Sequence, residues 1–214
     1  MRKLLPGLLG LLIAAGFSFW AYAQLPARVA THWGIDGRAD GWSSPFLAAV
    51  LVPVAGLVLA LIFLALPKMD PRRGAYEDPR SPYWIVSNAV LVLLVIVHSL
   101  VLGHALGWVV NAVPVVTTAV GMLFVLIGAL MPRMRPSWFM GIRTPWTLSS
   151  DDVWVKTHRL GGKLFVIAGV LVAVSGLLPG NWWIVGAIGL AAVLALVPVG
   201  YSWWLWRETL SGER

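Results

Sequence analysis

Polar side chains inside an apolar run are the first chemistry this sequence offers, because hydrogen-bonding capacity is costly there. His98 and His104 both stand in the run Trp84 to Gly107. Six residues of helix turn through about 600°, so the two imidazoles project roughly 120° apart and cannot form one site on that helix. His104 lies near the end of the run and can reach interfacial water. His98 is deeper. Two readings stay open for it: a neutral imidazole bonded to a neighbouring helix, and a proton relay or ligand contact.

A second group occupies a polar loop. Between Leu25 and Trp42 the chain gathers His32, Trp33, Asp36, Asp40 and Trp42 around Gly34, Gly37 and Gly41. Asp36-Gly37 and Asp40-Gly41 are turn dipeptides. The segment reads as a compact capping loop with its tryptophans on the membrane interface, as a surface that recognises a ligand, or as a cation site on His32, Asp36 and Asp40. No helix fixes those three side chains on one face, so their spacing is not diagnostic of a metal. No metal and no cofactor is assigned.

The third group is the longest, a basic and tryptophan-rich loop from Pro132 to Gly162. Pro145 fixes its own φ and disfavours helix at Thr144. Ser149 followed by Asp152 resembles a capping box, which predicts a helix from Ser150. On that helix Asp152 and Lys156 form an i,i+4 pair, and Trp154 shares a face with His158. The expectation is an interfacial helix around 150–160, its tryptophans at headgroup level, leading into a membrane span. Membrane-surface composition does not explain why Arg143, Thr144, Pro145 and Trp146 stand together. Arg143 offers a planar fork for a carboxylate or phosphate, with a stem that can lie along an aromatic ring.

The elements that position these groups follow from composition. Of 214 residues 59% are hydrophobic and 12% charged, about half the charge usual in a soluble domain. Six apolar runs read as bilayer spans, each of which takes about 20 apolar residues: Leu4–Ala23, Phe46–Leu66, Trp84–Gly107, Val113–Met131, Leu164–Leu178 and Trp182–Trp206. The fifth is short and must begin earlier, near Leu160. The predicted fold is an all-α polytopic membrane bundle of six transmembrane helices plus the interfacial helix. It divides into a two-helix module over 1–82 with an outer loop at 24–45, and a four-helix module over 83–214 with an inner loop at 132–162. Short turns at Trp108–Asn111 and Pro179–Asn181 make helical hairpins of the last four spans.

Net charge is +7, and of the 16 Lys and Arg only Arg28 and Arg38 fall on the side opposite the N-terminus, leaving 14 on the N-terminal side. The positive-inside rule then puts both termini in the cytoplasm. The excess charge is read as orientation and lipid contact, not direct nucleic-acid binding. Ala21-Tyr22-Ala23 resembles a signal-peptidase site, but the preceding apolar run exceeds a usual signal core, so the first helix is read as retained. Gly121 and Gly128 in run four, and Gly162, Gly169 and Gly176 in run five, repeat at close to two helical turns. They predict smooth stripes for close helix approach, as do Gly103 and Gly107. No cysteine is present, which excludes disulfides and thiolate chemistry. No phosphate loop, dinucleotide fingerprint or hydrolase motif is found, and the six runs hold no Asp, Glu or Arg.

Gly141-Ile142-Arg143-Thr144-Pro145-Trp146-Thr147-Leu148, then Val153-Trp154 and Lys156-Thr157-His158-Arg159, resembles the signature of the SdpI family of bacterial immunity proteins. Leu25-Pro26 through Thr31-His32, with Gly37 and Asp40-Gly41, resembles a small module of unknown function that often precedes it. The two cover almost the whole chain. One departure is visible: Ser137 and Trp138 stand where the family often has Asn. The resemblance implies a non-enzymatic, multi-pass protein of the cytoplasmic membrane that protects its producer from a secreted toxic peptide. It also implies relay, by holding a cytosolic transcriptional repressor at the membrane. His32, Trp33, Asp36, Asp40 and Trp42 then become candidates for the toxin surface. Gly141, Arg143, Thr144, Pro145, Trp146, Thr147, Asp152, Trp154, His158 and Arg159 become candidates for the relay surface. The residues themselves leave two other classes open: a solute or ion pathway using His98 and the glycine seams, and a metalloprotein or enzyme using His32, Asp36 and Asp40.

Overall fold

A computed structural model describes residues 2–34 and 36–212; Arg214, counted above among the basic residues, lies outside the described residues. The order is α1 (Leu5–Tyr22), strands β1 (Val29–Trp33) and β2 (Ala39–Ser43), α2 (Pro45–Met69), α3 (Pro82–Ala105), α4 (Ala112–Leu130), a short α5 (Pro145–Ser149), α6 (Asp151–Ser175) and α7 (Trp182–Gly212). Six of these helices are long and apolar enough to cross a membrane. Their outward faces carry large bare hydrophobes such as Phe19, 88% exposed, and Ile13, 70% exposed. Lipid tails solvate such side chains where water would not. The chain is a multi-pass membrane protein.

Helix starts follow local chemistry. Ser44 accepts the Leu47 N–H at 3.3 Å ahead of Pro45, and Asn111 accepts that of Val113 at 3.2 Å. Prolines 45, 82 and 145 stand at first helical positions, where a missing N–H costs nothing. The start of α1 lacks a cap of its own. Asn88 on α3 supplies one, accepting the Gly7 N–H at 2.9 Å.

Two expectations are corrected here. The outer loop is a β-hairpin, antiparallel, with a register shift around His32. The fifth span is one unbroken helix from Asp151 to Ser175, so the interfacial stretch and the span are the same element. Ser150, not Ser149, caps it and accepts the Val153 N–H at 3.4 Å. Ser149 ends α5 with its hydroxyl on the Pro145 carbonyl at 2.8 Å. Ser150 is the residue with extended backbone between the two helices, and only such a residue can turn its side chain onto the next N–H groups.

The glycine stripes of α4 and α6 face each other. A Cβ on Gly128 would lie 2.6 Å from the Gly162 carbonyl oxygen, and one on Gly169 would lie 2.6 Å from that of Gly121. Gly176 continues the column against Thr117. The backbones are in contact, as small-residue membrane seams allow. Gly103 and Gly107 do something else. Gly103 lies under the Trp108 ring of its own loop, and Gly107, at φ +84°, ends α3.

Helix α2 contains Pro53 and Pro67. Each removes the N–H that would bond the carbonyl four residues earlier, freeing Ala49 and Phe63. Both carbonyls find side chains on neighbouring helices: the Ser18 hydroxyl of α1 donates to Ala49 at 2.8 Å, and the Tyr83 hydroxyl of α3 donates to Phe63 at 2.9 Å. In lipid an unbonded carbonyl has no water to turn to. Each proline is therefore matched by a specific donor.

Candidate functional site

The inner loop is held by its own signature residues. Gly141 adopts φ +108° and presses its backbone against Trp154 and His158; a Cβ there would meet the His158 Nε2 at 2.5 Å. The next N–H, from Ile142, donates to that same Nε2 at 3.0 Å. His158 Nδ1 faces the Trp154 carbonyl at 2.8 Å. A carbonyl can only accept, so Nδ1 carries the proton and the imidazole is neutral with both nitrogens bonded. Its ring stacks on Trp154 at 4.0 Å, and Trp154 donates its indole N–H to the Met134 carbonyl at 2.8 Å. Trp154 is fully buried, packed into the protein, and it anchors the loop to α6.

Thr144 and Pro145 stand together because they start α5. Thr144 accepts the Thr147 N–H at 3.2 Å and Thr147 accepts the Thr144 N–H at 2.9 Å, a reciprocal capping box. The Thr144 hydroxyl also meets Ser202 of α7 at 3.1 Å. Six signature residues thus have structural work: Gly141, Thr144, Pro145, Thr147, Trp154 and His158. Arg143 and Arg159 stay exposed and Trp146 half-buried. Arg143 donates to the Trp138 carbonyl at 2.6 Å. Among the described residues, cation–ring contacts are made by Lys3, Arg28 and Arg207. Asp152 pairs with Lys156 at 2.7 Å as the spacing predicts.

Asp70 was not singled out in the sequence, yet it is fully buried at the end of α2. It accepts the Trp138 N–H at 2.8 Å, the Arg72 N–H at 2.7 Å and the Tyr76 hydroxyl. Burial by itself would raise its carboxyl. The donors from Tyr76, Arg72 and Trp138, with the Arg72 charge, outweigh burial and hold it below the usual value. Burial, then the bond to Asp70, pushes the Tyr76 phenol up to about 12. Arg72 continues the junction, bonding Asp151 at 3.2 Å and the Leu148 carbonyl at 3.2 Å. The loop after α2 is thereby fastened to the signature loop. The sequence signal was faint: one acidic residue, Asp70-Pro71, beside a row of basic ones.

On the opposite face, His32 meets Asp40 across the hairpin at 2.6 Å, both exposed. Asp36 turns instead toward Arg38, at 3.8 Å from its guanidinium and accepting its N–H at 3.1 Å. Among the described residues no three His, Cys, Asp or Glu side chains gather as a metal site. Trp33 stands edge-on to His104 at 5.3 Å, while Trp42 lies under Arg28. Beneath the hairpin is a cavity of about 480 Å³, roofed by His32 and Trp33 and walled by Val97 and Leu100 of α3, Val116 of α4 and Ile188 of α7.

His98 is separate from both faces and fully buried. Its Nε2 lies 2.7 Å from the Ser18 hydroxyl. That hydroxyl has one proton, directed at the carbonyls of Ala49 and Ala14, so it accepts the Nε2–H of His98. The expected bond to a neighbouring helix is present. His104 is exposed at the far end of α3.

Residues 133–202 match the SdpI/YfhL protein family, and residues 9–57 match a domain of unknown function, DUF1648. Immunity protein SdpI of Bacillus subtilis (strain 168) is 28% identical over 193 residues, 90% of this chain and 90% of that protein. No solved structure matches. The SdpI/YfhL match spans the buried Trp154–His158 pair and the capping box, the same segment that carried the resemblance in the sequence.

Proposed function

We propose that this chain is an immunity protein of the bacterial cytoplasmic membrane, protecting its cell from a secreted peptide toxin. The observation that carries the reading is the likeness to Immunity protein SdpI along 90% of both chains. The hairpin faces outward and the signature loop faces the cytoplasm, an orientation supported by the placement of all but two basic residues. The cavity beneath the hairpin offers an apolar socket with His32, itself bonded to Asp40, at its rim, suited to apolar side chains of a membrane-active peptide. On the cytoplasmic face Arg143, Trp146, Asp152 and Arg159 form the surface that holds a transcriptional repressor at the membrane. Helix α2 joins the faces, starting beside β2 and ending at Asp70.

The test is expression in Bacillus subtilis cells that lack Immunity protein SdpI, scored by survival beside wild-type cells. Survival above that of cells with empty vector is expected, and equal killing would overturn the proposal. Arg143→Lys should insert normally and protect or relay less well, since lysine keeps the charge and loses the fork. Arg73→Lys is the control. Wild-type behaviour of Arg143→Lys would remove Arg143 from the working surface.

A further inference from the structure

The start of α3 and the end of α4 enclose a polar cavity of about 320 Å³ at the signature-loop face. Arg80, Arg133 and Arg135 line it, together with Glu77, Asp78 and Ser81. Among the described residues none of the three arginines has an ion-pair partner. Asp78 is engaged by the Arg80 N–H at 2.7 Å.

Ser81 is the N-cap residue of the 24-residue α3, yet its side chain caps nothing. The residue is 6% exposed, and its hydroxyl is buried without a hydrogen-bond partner. A buried hydroxyl left unbonded is unusual and wants an acceptor or donor. It stands at the positive end of a helix dipole, where an anion is favoured. The start of α3, with its unpartnered Ser81 hydroxyl, and three arginines line one cavity.

We propose that this cavity binds the phosphodiester headgroup of an anionic phospholipid. Arginine forks match phosphate oxygens in geometry as well as charge. The sign and size of the charge choose the ligand. Three guanidinium groups against two carboxylates leave a net +1, which balances a singly charged phosphodiester better than free phosphate with its second charge. Position agrees: Ser81 and Arg133 lie at the ends of two spans, at headgroup depth. The headgroup would bridge the loop after α2 to the turn after α4, so it fastens the same junction that Asp70 fastens from within. The proposal is independent of what the hairpin face binds.

Thermal unfolding of the delipidated full chain in neutral detergent, titrated with short-chain phosphatidylglycerol, phosphatidylcholine or inorganic phosphate, tests it. Phosphatidylglycerol should raise the midpoint saturably, with half-effect at about tenfold lower concentration than phosphatidylcholine. Arg133→Gln with Arg135→Gln should erase that preference, whereas Arg73→Gln, removing one charge elsewhere, should keep it. Ser81→Ala should leave the lipid-free midpoint in place, because no cap is lost, and should weaken the phosphatidylglycerol response. Equal responses to the two lipids, or a preference that survives the double variant, would overturn the proposal. Inorganic phosphate acting as strongly as phosphatidylglycerol would overturn the headgroup assignment.

Discussion

Asp70 and Trp138 are 68 positions apart, and the buried carboxylate of one accepts the backbone N–H of the other at 2.8 Å. Three donors converge on that carboxylate, and only an acceptor-only group fits among them. Asp70→Asn would place an amide N–H₂ against a donor. A loss of about 1–3 kcal/mol is expected, seen as a lower unfolding midpoint and faster hydrogen exchange at Trp138. The pH dependence follows from the lowered carboxyl: its stabilisation is present above the ordinary value near 3.8 and fades as pH falls through the lower folded value. Asp70→Asn should flatten the acid limb of the midpoint against pH. An unchanged limb would show that another group governs it.

Tyr83→Phe leaves the Phe63 carbonyl without its donor, while Pro67→Ala gives that carbonyl back its own helical N–H. The two changes should not add. Tyr83→Phe alone should cost about 0.6–1.7 kcal/mol, the range of side-chain hydrogen bonds in membrane helices, and much less when Pro67→Ala is already present. A double-mutant cycle on unfolding in mixed micelles reads the coupling; additivity would deny the pairing.

Gly141→Ala meets two obstacles, positive φ and the His158 ring. Strain of about 1–3 kcal/mol is expected, with the Trp154 indole becoming accessible to an aqueous quencher. Gly74→Ala, where a Cβ meets nothing within 4 Å, should be silent in the same assay. Equal behaviour of the two variants would remove the Gly141–His158 clamp from the account.

Reporter fusions fix the orientation. Fusions after Gly37 should read outside, and those after Arg73 and Asp152 inside, because the basic residues cluster on the latter side. A cytoplasmic signal at Gly37 would invert the assignment of both faces.

The spans were legible because lipid imposes one requirement, an uninterrupted apolar length, and Phe46–Leu66 or Trp84–Gly107 meets it by composition alone. The stripes of α4 and α6 were legible by period, although not that they face each other. The start of α6 was legible from the serines before it, but Lys156, His158, Arg159 and Lys163 made its first turns read as a separate interfacial stretch. In the structure His158 is a neutral, doubly bonded core residue, so the helix runs straight through. The hairpin was hidden because Ala39-Asp40-Gly41-Trp42-Ser43 has poor strand propensity and depends on its partner strand. Asp70 was hidden for a different reason. Nothing local to it announces that its donors include a backbone amide in the signature loop.

The seam between α4 and α6 also sets how this protein can change over generations. An overpacked core is usually rescued by a smaller residue across the contact. The atoms nearest a Cβ on Gly128 are the Gly162 carbonyl and the Val166 N–H, and those nearest one on Gly121 are backbone atoms of Gly169 and Ala173, so trimming a facing side chain does not clear the backbone. A side chain gained at one of these glycines has no compensating substitution at the facing position. Its suppressors must lie elsewhere, in changes that move one helix away from the other, and those would disturb the capping box and the Trp154 anchor at the head of α6.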